Sequence, residues 1–538
     1  MAPTNTRDQD NRDVEVPVAI DSQDGIPPQI PIQSDLPENE ASSQNGSAEK
    51  TRRRRKASTL KRDVLPEQDL DKGIVGWEGQ DDPENPRNYT PMRKWTILSL
   101  VSSMTLISPF ASSVFAPAVR FANVDFHNTS TILGTFVVSS YVLGYAIGPL
   151  FLSPLSEIYG RRIILTIASL HFVVWQIGCA LAPNISSLIV FRVLTGIGGS
   201  ACLTIGGGTI ADLFEKEQRG LAMSIFSAGP LFGPVLGPIC GGFIAQGAGW
   251  RWVFWTLLIV AGTCTGFILV FYRETNHAVL IRHKTNRLAK ELEREDLTSC
   301  YDKTLGKHST RTLLGRSLFR PLKLLFLSPV VALLAIYVAL IYGCLYLLFT
   351  TVTTVFEKTY HWSPDLTGLA YIGLGLGLLC GQALFGFTSD RIIVRLTNLN
   401  NGVYQPEMRL TMCLLFAFFV PISFFWYGWS IKAKVHWIVP IIGLFPFGFG
   451  MIGIFTSIQT YIIDSYSQYA ASGIASVTVT RSFFGAFLPL AGPSLYQSLG
   501  YGWGNSMLGF ITLALIPAPV LLRQYGGLLR ERHPVNLE

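Results

Sequence analysis

The sequence predicts an all-α membrane protein, with twelve transmembrane helices arranged as two pseudo-symmetric six-helix lobes. Its 538 residues are 49% hydrophobic and the mean hydropathy is +0.34, although the first 93 residues are almost entirely polar, so the apolar weight lies downstream. Between Trp95 and Leu522 that weight falls into a dozen runs of about 18 to 28 residues. Each can cross a hydrocarbon core of ~30 Å at ~1.5 Å per residue. Backbone polar groups in lipid must be satisfied within their own segment, and runs this long suit helices rather than barrel strands.

The expected spans are 95–117, 131–153, 163–183, 188–212, 220–245, 251–272, 329–356, 366–388, 409–428, 435–463, 470–494 and 503–523. A polar linker from Arg273 to Lys323 separates the sixth from the seventh, and its HKTNRLAKELERED stretch reads as an amphipathic surface helix. The expected organisation is a mostly disordered N-terminal tail (1–93), a first lobe (94–272), the linker (273–328), a second lobe (329–524) and a short C-terminal tail (525–538). Residues 1 to about 75 are rich in Pro, Ser, Asn, Gln and charge, a composition that buries too little surface to offset ordering.

Charge sets the expected orientation. Loops on the linker's face carry 22 Lys or Arg and the opposite loops five (Arg120, Arg251, Lys358, Lys432, Lys434), so both termini are expected to be cytoplasmic. The formal charge of +7 divides into −5 over the first 93 residues and +12 over the rest. A basic inner membrane face needs no nucleic acid to explain it, and RRRRK at 52–56 reads as a contact for anionic lipid. The eight cysteines show no metal or disulfide spacing, and seven fall in expected spans. Sequons at Asn128 and Asn184 are candidate glycosylation sites on the outer side, and no cleavable signal sequence is visible.

The turn after span 2 reads SPLSEIYGRR. Glu157 can face the positive end of a neighbouring helix or an Arg across the lobe interface, Gly160 permits a sharp bend, and Arg161 and Arg162 anchor span 3 at the headgroups. GFTSDRIIVR after span 8 echoes it, with Asp390 and Arg391 where Glu157 and Ile158 stand, and Asp212 at the end of span 4 answers Asp464 at the end of span 10. With Arg219, these residues form an expected cytoplasmic gate, and their repetition suggests a duplicated six-helix unit around a central site.

Span 5 holds Gly229, Gly233, Gly237, Gly241 and Gly242, with Pro230, Pro234 and Pro238 behind three of them. Four-residue spacing stacks glycines on one helix face for close approach, and the prolines soften the axis, so a bendable helix at the lobe interface is expected. Charges inside spans are costly and face cavities or partners, which singles out Arg192 in span 4 and Arg481 near the middle of span 11. His171, Tyr145, Tyr342, Tyr346, Phe455 and Gln459 complete an expected aromatic, weakly polar cavity suited to a bulky apolar solute. No Asp or Glu lies mid-span, so the sequence names no proton carrier.

Several of these residues resemble motifs of the major facilitator superfamily. Glu157, Gly160, Arg161 and Arg162 resemble its loop signature, Arg192 followed by TGIGGSA its fourth-helix motif, and the span-5 ladder its antiporter motif. GFGMIGIFTSIQTYIIDSY, WEGQDDPENPRNY, WRWVFW and RSFFGAFLPLAGP are similar to signatures of the fungal twelve-spanner drug:proton antiporter branch. The resemblance covers residues 77 to about 525 and implies a major facilitator fold, alternating access, and export of toxic or secondary-metabolite compounds in exchange for protons. It further implies a monomer without cofactor or metal, in a fungal plasma membrane or, alternatively, a vacuolar one. Ser153 replaces the glycine that usually opens the loop motif, and Ile158 stands where many members carry Arg.

The alternatives are a proton-independent facilitator or uptake carrier for an organic acid or polyamine, and a nutrient receptor on a transporter scaffold. A polyamine would want a buried carboxylate, which the spans lack. An enzyme would show clustered catalytic side chains near one face, and none is seen.

Overall fold

The computed structural model of the chain describes residues 65–301, 310–466 and 470–532; the RRRRK run lies outside them. Helices dominate: α1 (Pro91–Ser113), α2 (Val119–Asp125), α3 (Thr131–Tyr159), α4 (Arg161–Ala180), α5 (Ile185–Leu213), α6 (Lys216–Ala248) and α7 (Trp250–Phe271) form the first half. The linker supplies α8 (His277–Glu291) and α9 (Thr310–Leu327). The second half comprises α10 (Pro329–Tyr360), α11 (Ile372–Leu399), α12 (Leu410–Ala417), α13 (Phe419–Lys432), α14 (Ile438–Ser465), α15 (Ala470–Phe487), α16 (Ala491–Ala514) and α17 (Pro517–Arg532).

Eleven stretches of the described residues are long and apolar enough to cross a membrane, and the last, Ser472–Arg532, runs for 61 residues. That is about three times what one crossing needs. Gly500, at φ +67°, breaks the run and turns it back on itself, so that the Tyr496 hydroxyl donates to Asn505 Oδ1 at 3.0 Å across the turn. The stretch is therefore long enough for two crossings, giving twelve among the described residues.

The two halves repeat the same packing. In the first, α1 packs on α6, α3 on α5, and α4 on α7; in the second, α10 packs on α15, α11 on α14, and α13 on α16. One buried apolar core draws its residues from 97–272, and another from 330–522 together with Val142. The halves meet along α3 with α15, and where α6 touches the start of the eighth span, with Gly368 close to the backbone of Pro238 and Ile239.

Residues 65–75 are ordered, contrary to the expected disordered tail. The strand β1 (Ile74–Val75) pairs in parallel with β2 (Thr298–Ser299) of the linker. Trp77, fully buried, packs edge-on against the His277 ring at 5.6 Å, and burial holds that imidazole below its ordinary pKa. The WEGQDDPENPRNY segment closes around the linker because Lys284, almost fully buried on α8, needs compensating charge. Glu78 and Asp82 supply it at 3.0 and 3.5 Å.

The glycine ladder occupies a different interface from the one expected. A Cβ on Gly229 or Gly233 would lie 2.8 Å from backbone atoms of Leu106, and one on Gly237 2.8 Å from the Phe110 carbonyl oxygen. The ladder thus seats α6 on α1 inside the first lobe. Only Gly242, beside the carbonyls of Pro364 and Asp365, and the face carrying Val235 and Pro238 look toward the second lobe. Gly233→Leu is accordingly expected to disrupt the first lobe itself, at a cost of roughly 1–3 kcal/mol or more. It should lower the melting temperature of detergent-solubilised protein even without substrate, and an unchanged melting curve would contradict this packing.

Candidate functional site

On the linker's face each half carries the same polar clamp. Arg161, the first residue of α4, reaches Asp212 near the end of α5 at 3.4 Å and donates to Ser156 Oγ on α3 at 2.7 Å. In the second half Arg409 reaches Asp464 at 2.9 Å and Ser389 Oγ at 3.4 Å. Tyr404 also donates to Asp464, at 2.5 Å. The echo is therefore Ser156–Arg161–Asp212 against Ser389–Arg409–Asp464. Asp390 also pairs with Arg409, at 3.4 Å, whereas Arg391 is exposed and belongs to neither clamp. Each clamp ties the ends of three consecutive spans into one body.

Helix ends explain most of the remaining polar residues of the expected gate, because the first N–H and last C=O groups of a helix need outside partners. Glu274 accepts from the backbone N–H groups of Arg161 and Arg162 at 2.9 and 3.1 Å, capping α4. Gly160, at φ +104°, leaves the space its carboxylate fills. Arg219 donates to the carbonyls of Ala211 and Phe214 at the end of α5, and Arg162 to that of Leu269 near the end of α7. Glu157 shares the electrostatic neighbourhood of Arg161 and of Arg320 on α9, which leads into the second lobe.

Arg192 does not face the cavity as expected. It is 1% exposed and donates to four carbonyls, those of Ala111 and Ser112 at 2.9 and 3.0 Å and those of Val137 and Val138 at 3.1 and 3.2 Å. Ala111 and Ser112 belong to the last turn of α1, so the guanidinium caps that helix and pins it to α3 and α5. Phe115, Tyr141 and Phe254 enclose it with their rings. Tyr145 and Tyr346 also turn out to be packed: the first meets Ser108 Oγ at 2.6 Å, and the second donates to Ser112 Oγ of the opposite lobe at 2.9 Å. His171 sits 3.0 Å from the Leu194 carbonyl, tying α4 to α5.

Arg481 behaves differently. Its guanidinium lies 4.8 Å from the ring centroids of both Tyr342 and Phe455, near the middles of α15, α10 and α14. Those two rings also border a void of about 10 Å³ inside the second lobe, between α10 and α14, with room for no more than one water. Gln459, half-buried, lines neither this cavity nor the next.

A larger cavity of about 420 Å³ lies between the lobes on the face opposite the linker, within the usual range for a small-molecule site. Hydroxyls of Thr131, Thr135, Thr350, Thr351 and Thr354 line it, and an exposed ion pair between Arg120 and Glu357 links the lobes there. None of the expected cavity residues takes part. Asn128 lies in its wall, and its side-chain amide donates to Asn123 Oδ1 and the Ser130 carbonyl, both at 2.9 Å; a glycan would leave that nitrogen one N–H and so remove one of the two bonds. Asn184 caps α5 through its oxygen, leaving its nitrogen outside the cap.

Two outcomes follow from this geometry. Each charge-assisted bond of Arg192 contributes about 1.5–3 kcal/mol. Arg192→Gln is thus expected to reduce the yield and melting temperature of the folded protein; a fully stable but inactive variant would contradict the capping role. Arg161→Ala and Arg409→Ala are expected to slow transport to a similar degree, since the clamps are equivalent, and a defect confined to one of them would count against the pairing.

The fold and the clamps can be set beside known proteins. Residues 101–489 match the family model of the Major Facilitator Superfamily. An "MFS transporter cpaT" of Aspergillus oryzae is 48% identical over 85% of this chain and 91% of its own length. An "MFS-type transporter penM" of Penicillium rubens is 47% identical over 86% and 90%, and an "Efflux pump radE" of Floropilus chiversii 44% identical over 87% and 86%. Among solved structures, the xylose transporter XylE from E. coli, in a partially occluded inward open conformation, aligns with a TM-score of 0.58 at 18% identity, over 81% of this chain and 98% of that one. The chain is an integral multi-pass membrane transporter and belongs to the major facilitator superfamily.

Proposed function

We propose that the protein exports small, largely apolar secondary metabolites or toxic compounds by alternating access, in exchange for protons. The observation that carries the reading is the 420 Å³ cavity between the lobes on the face opposite the linker. Each lobe is held rigid by its clamp, while an exposed ion pair, worth about 0–1 kcal/mol, joins the lobes across that cavity's rim. Rigid bodies with a weak rim contact can rock about their shared interface, opening the centre to one face and then the other. The names of the relatives, one of them an efflux pump, support outward direction.

In this reading the linker face, with its excess of Lys and Arg, is cytoplasmic, both termini lie there, and the chain works as a monomer in a plasma membrane. Proton exchange rests on the motif resemblance, since among the described residues no carboxylate lies mid-span. The vestibule's ring of threonine hydroxyls can exchange weak hydrogen bonds with a departing solute without holding it tightly.

The test is efflux from cells, followed by flux in inside-out membrane vesicles with and without an imposed pH gradient. Cells carrying the chain should tolerate an exported toxin better than cells without it, and vesicle flux should accelerate when protons run in the opposite direction. Flux indifferent to the gradient would contradict proton exchange; solute binding without flux would favour a receptor.

A further inference from the structure

We infer that Arg481 is a recognition site for the carboxylate of an amphipathic organic acid, so that the exported compounds include weak acids carrying an aromatic or other flat apolar body. The inference rests on the export reading above and names the substrate class of that central site.

The starting point is a contrast between cations. Arg192 has four carbonyl partners, Arg161 and Arg409 have carboxylates and hydroxyls, and Arg219 caps a helix. Among the described residues Arg481 has no hydrogen bond and no ion pair, and its Nε is buried without an acceptor. Among the described residues its guanidinium lies against the rings of Tyr342 and Phe455, each at 4.8 Å. Mid-membrane charge without a partner is costly, and such residues mark solute or ion pathways. Faces of aromatic rings attract the cation but leave its five in-plane N–H donors unused.

Those donors match what a carboxylate offers. A guanidinium binds a carboxylate through two parallel, charge-assisted bonds, whereas a neutral amide can accept only one comparable bond and brings no charge. Beside the two rings the second lobe presents Val338, Ile341, Met451 and Ile454, apolar neighbours around a void of about 10 Å³ that would have to widen to take the body of the acid. The place is also at the junction of the lobes. Gly485, one turn further along α15, lies against Tyr342 and against Val142 of the first lobe. An anion held there would sit where rocking of the lobes changes its access.

The test compares two probes of the same shape, 1-naphthylacetate and its neutral amide 1-naphthylacetamide, by calorimetric titration of the full-length protein in detergent at neutral pH. The unaltered protein should bind the acid on the order of tenfold more tightly than the amide. Arg481→Gln should bring the two within about twofold of each other by weakening the acid alone, amide binding serving as the sign that the site is intact. Arg481→Lys, which keeps the charge and loses the planar fork, should fall between. Equal affinity for acid and amide in the unaltered protein, a preference that survives Arg481→Gln, or failure of the acid to bind at millimolar concentration would overturn the assignment. Flux of the same probes in vesicles separates the two claims. Acid-selective binding without flux keeps the anion site and removes the export reading; flux equally fast for the amide keeps export and removes the anion site.

Discussion

A backbone carbonyl or N–H left bare in hydrocarbon has no water to turn to, and that constraint organises this molecule more than any other. The helices satisfy their own interiors, so the demand concentrates at their ends. Arg192 meets it for the last turn of α1, Glu274 for the first turn of α4, and Arg219 and Arg162 for the ends of α5 and α7. Because each of these side chains comes from outside the helix it caps, satisfying the backbone also locks neighbouring segments together. Rigidity of a lobe is thus a by-product of keeping its helix ends paired.

The duplicated clamps extend the same logic to whole lobes. Ser156, Arg161 and Asp212 join three spans of the first half, and Ser389, Arg409 and Asp464 join their counterparts in the second. The interior packing repeats as well, helix pair for helix pair. Between the lobes the contacts are of another kind: small residues and apolar side chains along α3, α6, α11 and α15, with few polar ties such as Tyr346 to Ser112. Strong ties within and smoother contacts between are what a pair of bodies needs in order to pivot.

Much of this could be read from the chain. The spans, the linker helix and the correspondence of Asp212 with Asp464 are visible because hydrophobic length and charged helix ends are local signals. Partners far apart in sequence are not. Glu274 reaches back to Arg161 across 113 positions, and nothing near either residue announces the other. Arg409 could have been found by aligning the first residues of spans 3 and 9 instead of the turns before them, which pointed to Arg391. The ladder's spacing shows that α6 packs closely but carries no information about which helix receives it. Arg192 was recognisable as a buried charge, yet burial alone cannot distinguish a cap from a cavity ligand; the four carbonyls decide it.

The central claim is that two rigid lobes rock against each other. Paired spin labels measure it most directly, one pair at Val124 and Lys358 on the face opposite the linker and the other at Tyr159 and Val394 on the linker's face, read by pulsed electron resonance in lipid nanodiscs. The account predicts two distance populations for each pair, shifting in opposite directions when pH or solute is changed, while label pairs placed within one lobe stay fixed. Distances that change together on both faces, or that change within a lobe, would contradict it.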